Sequence, residues 1–393
     1  MSTLAETAAR FDRLEAQAQL LTAEFRRHGF ELVAPAIIQP ASLLLDVIGE
    51  DLRARTYVFT DQDGVELCLR PDLTVPTCRL YLERHPDATV AARYCYNGPA
   101  FRYRPLDAPK GNPREFRQAG LESFALNDPG AADAEIVSLT MSAVRAAGLD
   151  GIALKLGDVG LLSALLDGIA MPERWRQRLR HQFWRPDAFR AELKRMTTAP
   201  DAAARQIPKT LADTLDPAKP ERATEIVATY LEKSGQDVQG VRTVDEISAG
   251  VLATLADAHA KPLPAAQADL IDRVIAIRAP AREATTRIAD TVRGTHVKIA
   301  PALDAFGDRL QRIAAAGIDL SAATFAADFG RKFEYYTGLV FEIEAPTLGR
   351  NNPIAGGGRY DGLLEAVGAP RRVPAVGAAI YTERLLTAER GED

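Results

Sequence analysis

Phe11, Leu14, Ala18, Leu21 and Phe25 are spaced by three, four, three and four residues. That spacing puts all five on one side of a helix. Thr3-Leu-Ala-Glu6 fits a capping box at its start, where a hydroxyl and a carboxylate satisfy free amides, and Gly29 is placed to end it. The period then shortens. "FELVAPAIIQP" from Phe30 reads as a strand interrupted at Pro35 and Pro40. Tyr57-Val58-Phe59 and Val65 to Leu69 flank Asp63-Gly64, a turn signal, and predict a hairpin. "ATVAARYCYNGPAFRYR" and "PREFRQAGLESFAL" predict a second strand pair around a long polar loop. Strands joined by short loops with few helices between them indicate an antiparallel sheet.

From about residue 130 to 325 the pattern changes to Ala, Leu, Arg and Glu at helical spacing, broken at "AMPERW", "TTAPD" and "AKPLP". "GIALKLGD" (Gly151 to Asp158) still reads as a strand. Strand texture returns at Ala322 and runs through "YYTGLVFEIEAP". "AGGGRYDGLLEAVG" reads as a glycine turn entering a helix, and "PAVGAAIYTERLLTAER" as a strand followed by a last helix. The reading is an α+β fold: a sheet-bearing core over 1–160 and 320–393, with 161–319 a mostly helical insertion.

Composition narrows the function classes. Of 393 residues, 48 are Lys or Arg and 53 Asp or Glu, a net charge of −5. A dedicated nucleic-acid binder carries a basic excess or stripe, and this chain as a whole does not. Cys68, Cys78 and Cys95 have no metal-type spacing, and the five histidines never pair at ligand spacing, so no metal site is expected. No signal peptide or membrane-spanning run is evident, and the expected location is the cytoplasm.

Three stretches carry candidate chemistry. "FRYRPLDAPKGNPREFRQAGLESF" places Arg102, Arg104, Lys110, Arg114 and Arg117 around a Pro/Gly loop, followed by Gln118 and Glu122 at equal parity on a strand. The cations suit phosphate or carboxylate; the carboxamide and carboxylate suit an ammonium and a polar ring. A solvated hairpin loop explains the same residues equally well. "LCLRPDLTV" adds Asp72 and Thr74, two apart and so on one face of an extended segment. "RKFEYYTGLVFE" joins Arg331 to Tyr335 and Tyr336. Tyrosines more often serve the core than a ligand. The spacing in "AGGGRYDG" matches neither a P-loop nor a dinucleotide fingerprint, which leaves glycines admitting close backbone approach.

Taken in order, these segments resemble the catalytic domain of a class II aminoacyl-tRNA synthetase of the histidyl type. "HGFELVAPAII" is similar to motif 1, the dimer-forming helix and strand. "FRYR…REFRQAGLE" is similar to motif 2, "RKFEYYTGLVFE" to the histidine-binding signature, and "GGGRYDGL" with "AVGAAIYTERLL" to the glycine segment and motif 3. The resemblance spans roughly residues 5–130 and 320–390. It implies a histidine pocket of Asp72 (where the family usually has Glu), Thr74, Gln118, Glu122, Arg331, Tyr335 and Tyr336. Gln118 and Glu122 would hold the α-amino group and imidazole, the tyrosines would wall the ring, and Arg331 would meet the carboxylate.

The chain departs from the synthetase on the nucleotide side. Motif 2 usually reads Phe-Arg-x-Glu; here Arg104 replaces the Glu that meets the adenine amine. Motif 3 usually has a glycine shortly before Glu-Arg; here Tyr381 stands there. Arg102 and Arg384 are retained. The sequence runs nine residues past Arg384, so no anticodon-binding domain is expected. These departures resemble the ATP phosphoribosyltransferase regulatory subunit family. That resemblance implies a non-catalytic protein with no cofactor, no tRNA and no membrane. Its partner would be a short-form catalytic subunit in a hetero-octamer, with regulatory chains paired through the motif 1 region and L-histidine the feedback effector. A truncated, amino-acid-activating synthetase is the enzyme alternative. A free-standing histidine sensor or RNA-binding relic is the third.

Overall fold

Two sheets organise the larger part of the chain. The computed structural model describes every residue except 1–6, 46, 48, 106–112, 199–206, 217–218, 235–242, 259, 331–334, 350–351 and 391–393. Within the described residues, a nine-stranded sheet is built from β1 (Glu31–Leu32), β5 (Ala92–Phe101), β6 (Glu115–Phe124), β7 (Ala153–Asp158), β8 (Arg278–Pro280), β9 (Thr324–Ala326), β10 (Leu339–Glu344), β11 (Ala355–Arg359) and β12 (Ala375–Tyr381). Their order is β1-β5-β6-β12-β11-β10-β7-β9-β8. The central pairs are antiparallel; β1–β5 and β7–β9 are parallel. A separate antiparallel sheet joins β2 (Ile38–Pro40), β4 (Glu66–Leu69) and β3 (Val58–Thr60). The expected antiparallel sheet is therefore a mixed one, its parallel pairs lying toward the two edges.

The first helix runs Ala8–Arg27 and is capped by Thr7, whose hydroxyl accepts from Arg10 N at 3.3 Å. The capping box expected at Thr3–Glu6 falls outside the described residues. Leu14, Ala18, Leu21 and Phe25 are buried, whereas Phe11 is 47% exposed, with the Arg117 guanidinium 5.9 Å from its ring. The first hairpin turns through Gly64 at φ +82°, with Asp61 Oδ1 accepting from Asp63 and Val65 amides. β5 and β6 pair from Ala92↔Phe124 to Phe101↔Glu115. "AGGGR" is strand β11 rather than a turn; the short helix Leu363–Ala366 follows it. Glycine is required there because a side chain would collide with neighbours. A Cβ on Gly357 would lie 2.7 Å from the Ala378 Cβ, and one on Gly358 would lie 3.0 Å from the Tyr336 ring.

The chain divides into two compact units, residues 1–165 with 274–393, and residues 166–273. The sheet-bearing unit thus resumes at Val274, ahead of the point where strand texture returns in the sequence. Its helix Ala300–Ala315 packs on helix Pro129–Ala146. Beneath the sheet, Tyr81 and Phe124 stack at 4.7 Å in a core that includes Cys78, Tyr336 and Tyr360. The second unit is helical, with Leu211, Leu215, Ala223, Val227 and Leu255 at its centre. There, buried Asp257 accepts from the Trp175 indole at 2.7 Å and pairs with Arg174 and Arg178. Burial pushes its carboxyl up, but those donors outweigh it and hold it below the ordinary carboxylate range.

Candidate functional site

Strand β6 carries Gln118 and Glu122 on one face, as the parity of the sequence requires. Both are almost fully buried. Asp72 and Thr74 reach the same place by another route. They lie on no strand: Thr74 opens the helix Thr74–Arg84, and Asp72 Oδ1 accepts from Val75 N at 3.3 Å. An acidic oxygen is favoured beside the free amides that begin a helix. Asp72, Thr74, Gln118, Tyr335, Tyr336, Tyr360 and Tyr381 then line one cavity with the β11 and β12 backbone, of about 320 Å³ counting its mouth. Arg331 lies outside the described residues.

Glu122 lies against this lining with no exposed surface. Its Oε1 accepts from the Tyr96 phenol at 3.0 Å and its Oε2 from the Tyr360 phenol. Thr74 supplies a third hydroxyl contact. Burial pushes the carboxyl up to about 8, and the three hydroxyls only partly oppose that. Gly377 stands opposite Glu122 in the β6–β12 register, and a side chain there would occupy the position of the carboxylate. Asp72 is also raised by burial, opposed by Arg102, by the Val75 and Thr74 amides, and by Arg70. Asp72 Oδ2 and Gln118 Oε1 are buried and have no hydrogen-bond partner among the described residues. Buried acceptors without a donor are uncommon and costly, so these two mark where a ligand donor belongs.

The aromatic wall is closely built. Tyr335 and Tyr336 rings are 4.9 Å apart, and Tyr335 meets Tyr360 edge-on at 5.8 Å. Thr337 ties this loop to the β11 turn: its amide donates to Arg359 O at 2.8 Å, and its hydroxyl accepts from Asp361 N at 3.1 Å. Arg359 is buried between Asp133 and Asp361, each 2.7 Å away, and Arg309 pairs with Asp133 at 2.6 Å. The backbone that presents Tyr360 is therefore pinned to helix Pro129–Ala146.

In the same lining, Tyr381 packs on Phe116, ring centroids 5.7 Å apart, and the Arg384 guanidinium sits 4.3 Å from the Tyr381 ring. Arg102 lies 4.7 Å from the Phe116 ring and donates to Pro71 O at 2.9 Å. Arg384 donates to Pro353 O at 2.8 Å. Burial lowers Arg384 most; the Tyr381 phenol opposes this and the nearby Arg102 charge adds to it. Arg104 is held through its carbonyl, which accepts twice from Arg114 at 3.0 and 2.7 Å.

Sequence reasoning missed Tyr96, Phe116, Tyr360 and Gly377. Tyr360 was in view within the glycine segment, but nothing in the sequence sets its phenol against Glu122. Phe116 was visible only as a strand residue. Among the described residues, no cluster of three or more His, Cys, Asp or Glu forms a metal site, and no helix is long and apolar enough to cross a membrane.

A family model described as histidyl-tRNA synthetase matches residues 5–248 and 241–385. An ATP phosphoribosyltransferase regulatory subunit of Brucella anthropi is 32% identical over 356 residues, covering 90% of this chain and 92% of its own. One from Agrobacterium fabrum is 33% identical over 380 residues, covering 95% and 96%. Among solved structures, an ATP phosphoribosyltransferase regulatory subunit/histidyl-tRNA synthetase from Bacillus halodurans superposes with a TM-score of 0.70 at 20% identity, covering 99% of this chain and 82% of that one. A histidine–tRNA ligase subunit from Alicyclobacillus acidocaldarius gives 0.60 at 22% identity, covering 99% and 96%. The fold is that of the histidyl-tRNA synthetases, and the chain belongs to the ATP phosphoribosyltransferase regulatory subunit family.

Proposed function

We propose that this chain is the non-catalytic regulatory subunit of an ATP phosphoribosyltransferase, required by a short-form catalytic subunit, and that it binds L-histidine to mediate feedback inhibition of the first step of histidine biosynthesis. The observation that carries this reading is the contrast between the two halves of one site. On one side, Asp72 Oδ2 and Gln118 Oε1 are buried acceptors without donors among the described residues. The three N–H donors of an α-ammonium supply what they lack. Glu122 and the walls Tyr335, Tyr336 and Tyr360 suit an imidazole. Arg331 completes the reading on the carboxylate side. On the other side, Tyr381 puts its own ring against Phe116 and Arg384. Nucleotide activation needs a held nucleotide as well as positioned cations, and Arg104 offers no acceptor for an adenine amine.

Arg102 and Arg384 lie close enough to influence each other. That pair favours the second reading, a histidine-activating enzyme of synthetase type. Calorimetric titration of the purified chain separates the two. The regulatory reading predicts saturable heat with histidine and none with ATP. ATP binding together with histidine-dependent pyrophosphate exchange would establish the enzyme instead.

Regulation requires histidine to bind the inhibited arrangement more tightly than the active one; a tenfold difference corresponds to about 1.4 kcal/mol of coupling. We place the protein in the cytoplasm, without tRNA, in a hetero-octamer of four regulatory and four catalytic chains. The regulatory chains pair through the motif 1 region. The three-stranded sheet supports that pairing: Ile38, Leu67, Leu69 and Phe59 share the face opposite buried Cys68, and Ile38 and Phe59 are 51% and 39% exposed. Exposed apolar side chains grouped on a sheet face suit pairing with another chain. Phe59→Glu is expected to reduce the sedimenting mass of the isolated chain by half; an unchanged mass places the dimer contact elsewhere.

A further inference from the structure

Resting on the reading of the pocket as a histidine site, we propose that Glu122 hands its proton to the ligand's ring, so that histidine is held as its imidazolium. The assignment of Glu122 to the ring follows from donor and acceptor counts. An ammonium offers three donors and suits Asp72 Oδ2 and Gln118 Oε1, two acceptors without a donor among the described residues. Each Glu122 oxygen already accepts a phenol, Tyr96 on one and Tyr360 on the other. What remains fits a single N–H, which is what a ring nitrogen presents.

The surroundings of Glu122 decide its charge. Strand β5 faces it with Tyr96 and, directly opposite in register, Tyr94. The segment entering helix Thr74–Arg84 presents Asp72, Thr74 and, one turn on, Cys78; the β11 turn presents Tyr360. β12 presents only Gly377. Among the described residues these are hydroxyls, a thiol and a second acid, with no cation among them. A fully buried carboxyl beside another acid keeps its proton near neutral pH, and Glu122 is raised to about 8. The Thr74 hydroxyl can accept that proton's hydrogen bond. The three hydroxyls favour the carboxylate once a cation arrives to offset burial. The step balances within the pair: the Glu122 O–H bond breaks, the second ring N–H forms, and no proton passes to solvent near neutrality.

The pocket consequently selects for ring basicity as well as shape. The test is nitrogen NMR of ring-¹⁵N-labelled histidine bound to the full chain at about pH 7.5, where the free ring is mostly neutral. The expected result is two protonated ring nitrogens of similar shift, reverting to one protonated and one bare nitrogen in Glu122→Gln. 2-Fluorohistidine, close in shape but far less basic, is expected to bind at least about tenfold more weakly, one pKa unit's worth. A bound ring that is neutral in the wild type, or equal affinity for the fluoro analogue, overturns the proton transfer and leaves the histidine site standing. Absence of any bound signal overturns both.

Discussion

Glu122 concentrates the chemistry of the site, and its burial has a measurable consequence for stability. Its ordinary value is 4.5, and folding raises it to about 8. Between those values the unfolded chain is ionised while the folded protein keeps the proton. Folding therefore takes up a proton in that window, so this group's contribution to stability falls as pH rises from about 4.5 to about 8 and levels beyond it. The full drop is roughly 3–5 kcal/mol. Asp158, raised to about 6, acts with the same sign over a lower window. Glu122→Gln removes the larger slope, so without histidine the variant's melting temperature should gain on the wild type between pH 5 and pH 9. A constant offset across that range would show that Glu122 is ionised when folded. At this scale the sequence was informative about identity and poor about partners. Gln118 and Glu122 were legible because strand parity is local. The Tyr96 and Tyr360 hydrogen bonds were not, because they join segments 26 and 238 residues away from Glu122.

At the scale of elements, β11 and β12 contribute backbone to the lining of the site. Their glycines let the strands pass close to Tyr336, Ala378 and Glu122. In sequence the run "AGGGR" reads as a turn because glycine breaks strand patterns; only the neighbours show that it is a strand in a crowded place. Asp72 and Thr74 were likewise placed on an extended face, whereas Asp72 serves the start of a helix. Tyr381 ends β12, with 8% of its surface exposed. Tyr381→Gly would remove its packing on Phe116, at a cost of about 3–5 kcal/mol by analogy with large aromatic truncations. The account predicts that this variant, where it remains folded, gains measurable ATP binding that the wild type lacks. No ATP binding in a folded Tyr381→Gly protein would show that Tyr381 is not what excludes the nucleotide.

For the molecule as a whole, the helical character of the middle was legible from its period, but the end of the second unit was not. The stretch from Val274 to residue 319 looks helical in sequence, yet it packs with the sheet through helix Ala300–Ala315 and strand β8. Periodicity reports the element, not the surface on which it is buried. In the reading we propose, this synthetase-type fold keeps its amino-acid half and has its nucleotide half filled by Tyr381, which packs on Phe116. The measurement closest to the central claim is the rate of a short-form ATP phosphoribosyltransferase catalytic subunit, assayed with and without this chain and across a histidine titration. The account predicts that activity requires the chain, that histidine abolishes it, and that Glu122→Ala complexes assemble and turn over but no longer respond to histidine. A catalytic subunit equally active alone, or inhibition unchanged by Glu122→Ala, would contradict it.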